Sequence, residues 1–363
     1  MSWRRALIVT SLVSAALLAA TLAVSCLSSG CSSLGYYAQA VGGHMDLMSR
    51  AKPVAGLLAD PATPPALRER LALSQRMRDF ASSELALPDN RSYRGYADLQ
   101  RGAVVWNVVA APELALTLKT WCFPAVGCVG YRGYFDRTSA DAMAAELQRE
   151  GWEVSVYGVP AYSTLGWTNW IGGDPLLNTF IHWPEGELAR LIFHELAHQV
   201  AYANDDTTFN ESFATAVERI GGQRWLATRA SDAARTEYAD FDARRKSFRE
   251  LAARQRQRLM QLYASGLSDD EKRQRKLELK AQLQADIAAL KTGPWRGFTG
   301  YDAWFARANN ASFAVQAAYD ELVPAFERLY QQQGSDLTRF FTEVQRLSAL
   351  PRAERRATLG APP

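Results

Sequence analysis

Two of the chain's four histidines stand four residues apart with a glutamate after the first, in His194-Glu195-Leu196-Ala197-His198. The flanks, Leu188 to Phe193 before and Gln199 to Tyr202 after, keep a helical pattern of apolar residues. On an α-helix, positions i and i+4 share a face. Both imidazoles can therefore meet one metal ion, and Glu195 beside them can reach a water without being a ligand.

A site of this kind needs a third ligand. The polar break Asn204-Asp205-Asp206 should end the first helix. A second helix should then run through Asn210-Glu211 and Glu218 to a glycine stop at Gly221-Gly222. Helices joined by a short loop pack antiparallel, so Glu211 can swing back to the histidine pair. Two histidines, one carboxylate and an open fourth position suit a catalytic zinc site, one ion per chain, and not a closed structural one. The competing role for Glu211 is helix capping, because Thr208-x-x-Glu211 has capping-box spacing. Glu218 lies two turns on along the same face. It suits a carboxylate that accepts a hydrogen bond from a ligand imidazole and fixes its tautomer. An ordinary surface glutamate is the alternative.

A chain of 363 residues, 48% hydrophobic and 22% charged, can bury a core around these helices. Its 41 basic and 38 acidic side chains leave a net charge of +3, and +1 without Arg4 and Arg5 of the leader. Near-neutrality gives no global electrostatic case for nucleic acid, so none is expected as a partner. Four cysteines exclude a disulfide-dense scaffold and a cysteine-rich zinc array.

After Arg4-Arg5 the chain has no charged residue from Ala6 to Leu27, a run of 22. This has the n-region and h-region anatomy of an export signal. It is also long enough to cross a bilayer as an anchor. Ser29-Gly30-Cys31 places two small residues before a cysteine, as a bacterial lipoprotein cleavage site does. Ser28 departs from the apolar residue usual three before the cysteine, and Cys26 is a second candidate. The expectation is a leader over residues 1–30, lipidation at Cys31 and a lipid anchor in a membrane. A retained signal anchor and plain secretion are the alternatives. All three export the chain. The lipoprotein reading puts it in the periplasm, and Ser32 after the cysteine points to the outer membrane. An oxidising compartment favours a disulfide between Cys122 and Cys128, contributing about 2 kcal/mol for so short a loop. Zinc binding by that pair is the rival, with spacing unlike C-x2-C and no histidine nearby.

Residues 32–90 read as helical, with Tyr37, Val41, Met45 and Met48 at helical spacing and a second stripe from Leu67 to Leu85. Ala103–Val109 and Trp152–Tyr157 read as strands, residues 138–150 as an amphipathic helix, and Ala161–Trp167 and Thr179–Trp183 as two more short strands. From Glu187 the pattern is helical, with last helices from Ala303 to about Leu347. Residues 240–292 are rich in Arg, Lys, Gln and Glu. Leu259, Leu262 and Tyr263 form one inner stripe, and Leu277, Leu279 and Leu283 another. Ser265-Gly266 breaks the two, and Ser268-x-x-Glu271 has capping-box spacing. A helical hairpin with a solvated charged face follows, not a nucleic-acid arm. The expected fold is α+β and mostly α, one domain over residues 31–363 with a small central sheet and this hairpin as an insertion.

At these residues the sequence resembles the gluzincin metallopeptidases. HExxH followed by Asn210-Glu211-x-Phe213-Ala214-x-x-x-Glu218 looks like the zinc signature of their aminopeptidase branch, over about residues 190–220. The chain after its leader resembles a bacterial family of small exported lipoproteins named for aminopeptidase activity. The supporting segments are Cys31 to Val41, Trp121 to Pro124 with Tyr131 to Phe135, and Tyr162 to Trp167. The resemblance implies Zn2+, the ligands His194, His198 and Glu211, Glu195 as catalytic residue and a helical, zincin-like fold. One departure is plain. Aminopeptidases of that clan bind the substrate amine with an acidic residue in a Gly-x-Met-Glu-Asn-type segment, and this chain has none. Its nearest equivalent, Ser163-Thr-Leu-Gly166, supplies no carboxylate and suits an edge strand pairing with substrate backbone.

The function expected is that of a zinc-dependent metallopeptidase, an aminopeptidase acting on a peptide substrate, with Glu195 as general base. For the oxyanion donor, Tyr301 and Tyr319 are downstream candidates, with core packing as their competing role. His44 and His182 have no partner pattern. Asn309-Asn310 either cap a helix or line a cleft. The rival readings are a non-catalytic zinc-binding envelope lipoprotein, serving as a binding or structural module, and a zinc hydrolase of non-peptide amides. An intact Glu195 argues against the first, since a structural site needs no base.

Overall fold

A computed structural model describes residues 31–123, 127–161, 173–316 and 322–360. The chain begins with α1 (Cys31–Arg50), β1 (Lys52–Pro53), α2 (Val54–Ala59) and α3 (Pro65–Ser83). Pro64 and Pro65 open α3, where a missing N–H costs nothing. The sheet region follows as β2 (Gly95–Ala97), β3 (Val105–Pro112), β4 (Trp121–Phe123), β5 (Gly127–Val129), β6 (Arg132–Tyr134), α4 (Arg137–Arg149), β7 (Trp152–Val159) and β8 (Leu176–Leu177). The Asp136 side chain caps α4 by accepting from the Ser139 N–H.

Strands β6, β3 and β7 form an antiparallel sheet with β3 in the middle, where Trp106 lies opposite both Tyr134 and Gly158. Side chains alternate across it with the period of two that the sequence shows. Val108, Ala110 and Val154 pack on Ala140, Ala144 and Leu147 of α4. Val109, Ala111 and Tyr157 turn to the opposite face, against Ala311. A second sheet joins β1, β2 and β8. The hairpin β4–β5 carries a disulfide between Cys122 and Cys128, which face each other in register.

The rest is helical: α5 (Glu185–Ala197), α6 (Thr207–Thr228), α7 (Asp232–Ala264), α8 (Asp269–Thr292), α9 (Asp302–Arg307), α10 (Asn310–Gln316), α11 (Val323–Gln332), α12 (Leu337–Ser348) and α13 (Arg352–Thr358). The fold is thus α+β, mostly α, with small sheets. Helices α7 and α8 form the charged hairpin. It starts at Asp232, before the expected Asp240, because the Ser231 side chain caps it there. The capping box of Ser268 and Glu271 is present at the start of α8. Phe248, Leu251, Leu283, Ile287 and Trp295 give this part its own apolar cluster.

Two sequence expectations fail. Residues 179–183 form successive turns, with Ile181 N–H donating to Leu177 O and Trp183 N–H to Phe180 O, and not a strand. Helix α6 also runs straight through Gly221-Gly222. There the glycines serve close packing: a Cβ on Gly221 would fall 2.7 Å from Leu85 and 2.8 Å from Phe193, and one on Gly222 would fall 2.7 Å from Arg190. Their bare backbone lets α6 lie tightly on α5. Among the described residues no helix is long and apolar enough to cross a membrane.

Candidate metal centre

Helices α5 and α6 place the site. Leu188, Ile192, Phe193 and Leu196 of α5 meet Phe209, Phe213 and Val217 of α6 in the main core. Helix α5 ends at Ala197 with His198 as its C-cap, earlier than the apolar pattern implied. Polar anchors outcompete continuation of the helix. Asn90 Nδ2 donates to Gln199 Oε1 at 2.7 Å, and Gln199 Nε2 donates to Ser92 Oγ at 3.1 Å. The last turn tightens, with Gln199 N–H bonded to Leu196 O and Val200 N–H to Ala197 O. Asn210 then grips Ala203 at both N–H and C=O, each at 2.8 Å, and turns the chain back. Asp206 caps α6 by accepting from the Phe209 N–H. The capping role weighed for Glu211 is thereby filled by another residue, and the Glu211 carboxylate faces the histidines.

Nε2 of His194 and Nε2 of His198 stand 3.2 Å apart. Glu211 reaches the first at 3.4 Å and the second at 3.8 Å. One donor atom from each of the three residues lies within 4.8 Å of the others. Ligands at about 2.0–2.1 Å from a tetrahedral zinc lie about 3.3 Å from one another. On the outer side, His194 Nδ1 stands 3.1 Å from Glu218 Oε2, and Arg190 pairs with the other Glu218 oxygen. Glu218 accepts the Nδ1 proton of His194 in a hydrogen bond, so Nε2 is the nitrogen that would face a metal once it gives up its own proton. His198 Nδ1 is buried without a hydrogen-bond partner among the described residues. Two imidazole nitrogens and a carboxylate converging on one point is a donor set that fits a zinc ion.

The electrostatics follow from burial and neighbours. Burial opposes a charge on His194, but hydrogen bonds to Glu211 and Glu218 reverse this and hold its imidazole well above the usual range. For His198 burial prevails and takes it down to about 4. Burial would raise Glu218, yet Arg190 and His194 hold it down at about 2. Glu211 likewise stays below its ordinary value, because the two imidazoles outweigh its burial.

Four tyrosines that sequence reasoning did not single out lie in the field of the site's carboxylates, three of them of Glu211 and Tyr93 of Glu195. Burial raises the phenols of Tyr131, Tyr157 and Tyr202, and the Glu211 carboxylate raises each of them further. Asn107 donates to the Tyr157 hydroxyl at 3.4 Å. Tyr131 is 37% exposed. Tyr93 has a left-handed backbone, φ 64°, uncommon for a side-chain-bearing residue. Its ring is buried, and its hydroxyl has no hydrogen-bond partner among the described residues. Burial holds its phenol well up, and Glu195 and Asp174 add to the effect. Only the alternation around Tyr157 and the place of Tyr202 four residues past His198 offered a signal.

Other candidates lie elsewhere. Tyr301 is stacked on Phe248 at 4.4 Å and edges Trp295, in the hairpin's aromatic cluster and not beside the histidines. Its competing core role is the one it takes. Tyr319, Cys26 and Ser163–Gly166 lie outside the described residues, and Cys31 is the first residue of α1. His182 is exposed. Asn309 Oδ1 caps the Ser312 N–H, and the fully buried Asn310 donates to Pro112 O and Glu113 O, so both are structural pins.

No curated protein and no solved structure matches this chain. A family profile does match, over residues 35–359. That span is most of the chain and contains both helices of the centre. The chain belongs to the family described as "Putative aminopeptidase".

Proposed function

We propose that this chain is a zinc-dependent metallopeptidase with His194, His198 and Glu211 as ligands and Glu195 as general base. The observation that carries the reading is the convergence of three ligand atoms, from two core helices, beside the glutamate of HExxH. The family's name supports peptide hydrolysis in general. A bound zinc ion would supply Lewis-acid activation of a water and of the scissile carbonyl.

The chain's own groups do the rest. Glu195 takes a proton from the attacking water and delivers it to the leaving amine. Glu218 holds the His194 ring in place, and Arg190 holds Glu218. The Tyr131 phenol, raised by burial and by Glu211, stays protonated near neutrality. Exposed to solvent and within the field of Glu211, it is the phenol assigned to donate to the developing oxyanion. Action on a free N-terminus remains tied to the family's name, because the chain lacks the acidic amine-binding segment.

Elemental analysis of the purified chain tests the metal. About one zinc per chain, lost in both His198→Ala and Glu211→Ala, is expected. A folded chain that takes up no zinc would instead favour the binding-module reading. A panel of free and N-blocked peptides then separates exopeptidase from endopeptidase action.

A further inference from the structure

Helix α1 carries three of the seven exposed large apolar side chains among the described residues: Tyr37 at 42%, Val41 at 64% and Met45 at 59% exposure. They stand at i, i+4 and i+8 and so form one stripe. The helix is docked on the body mainly by another face, and of the stripe only Tyr37 touches it, with its ring edge-on to Phe123 at 6.5 Å. Tyr36 stacks on Phe123 and edges Tyr134, Leu47 is buried, and Gly43 lies against Phe135. A solvated helix face normally carries charge. Yet no charged residue occurs anywhere from Ala6 to Met45, 40 consecutive positions. The exposed helix continues the uncharged character of the segment before it.

That segment says what covers the stripe. Ala6–Leu27 is long and apolar enough to enter a bilayer. Residues 28–30 separate it from α1, and three extended residues reach about 10 Å. An anchor in that run, or a lipid on Cys31, would equally start α1 at the membrane surface. We propose that the Tyr37, Val41 and Met45 face of α1 lies on a phospholipid bilayer, so that the protein is seated on the membrane by a helix face as well as tethered to it. The proposal does not depend on the peptidase reading.

The test uses the full chain, leader included, reconstituted into vesicles of phosphatidylethanolamine and phosphatidylglycerol. A photoreactive benzoylphenylalanine replaces Val41 or Met45, both open enough to accept it. Leu267, an exposed apolar residue at the hairpin turn, serves as the control position. Illumination should shift the mass of the chain by one phospholipid for positions 41 and 45 and leave position 267 unshifted. Adducts joining two chains would make the stripe a self-association face and overturn the proposal. A chain that floats with the vesicles but gives no lipid adduct at 41 or 45 overturns the seated face and leaves the tether standing. A chain that does not float overturns both.

Discussion

His194 Nδ1 lies 3.1 Å from Glu218, and the second oxygen of that carboxylate is held by the buried guanidinium of Arg190. Arg190 belongs to α5, one turn before His194, and Glu218 to α6, two turns after Glu211. A single carboxylate therefore ties the two helices together and fixes which nitrogen of His194 carries its proton. Glu218→Gln should keep the shape and weaken zinc affinity about 10–100-fold. Competition against a chelating dye measures this. Unchanged affinity would leave Glu218 as a partner of Arg190 alone.

Glu195→Gln should separate binding from chemistry. Zinc content should stay at the wild-type level, because Glu195 is not among the three converging donors. Turnover should fall by about 10²–10⁴, the usual contribution of a general base. Peptide hydrolysis that survives in this variant would remove Glu195 from the mechanism.

Much of this centre was legible in the sequence because it rests on local periodicity. HExxH on one helix, and Glu211 and Glu218 seven apart on the next, need only 3.6 residues per turn to share a face. The disulfide needed only a compartment and a short loop. What could not be read depends on contacts distant in sequence. Helix α5 stops at His198 because Asn90 and Ser92, about a hundred residues earlier, hold Gln199. Gly221-Gly222 signals a stop, but Phe193 and Leu85 make it a packing site. The tyrosines around Glu211 come from β7, from the turn before β6 and from the segment after α5, and no sequence spacing joins them.

Tyr131 is the phenol to test among those tyrosines. Tyr157 already accepts a hydrogen bond from Asn107, and Tyr202 is hydrogen-bonded to Asn210. Tyr131→Phe should lower kcat by about 10²-fold or more with little change in KM, the pattern of a donor used only in the transition state. Tyr157→Phe and Tyr202→Phe should stay close to wild type. A loss confined to Tyr202→Phe would move the donor to the α5–α6 turn.

Asp206 fixes the start of α6 from the opposite side. Its side chain is 1% exposed, it caps the helix, and it accepts from Arg355 at 3.2 Å and from Arg356 at 2.6 Å. Burial would raise this carboxyl, but the Arg356 hydrogen bond and the Phe209 N–H hold it below the usual range. A carboxyl whose folded pKa lies below its unfolded value of about 3.9 contributes stability above that value and loses it as pH falls through the folded one. Asp206→Asn should therefore cost about 1–3 kcal/mol near neutrality, since it removes a buried carboxylate that both guanidiniums share while Arg355 keeps Asp205. Urea midpoints of the two proteins should then converge as pH falls below about 4, where Asp206 of the unfolded chain takes up its proton while the folded one still resists it. A gap as wide in acid as at neutral pH would mean that Asp206 acts through its shape as a cap and not through its charge.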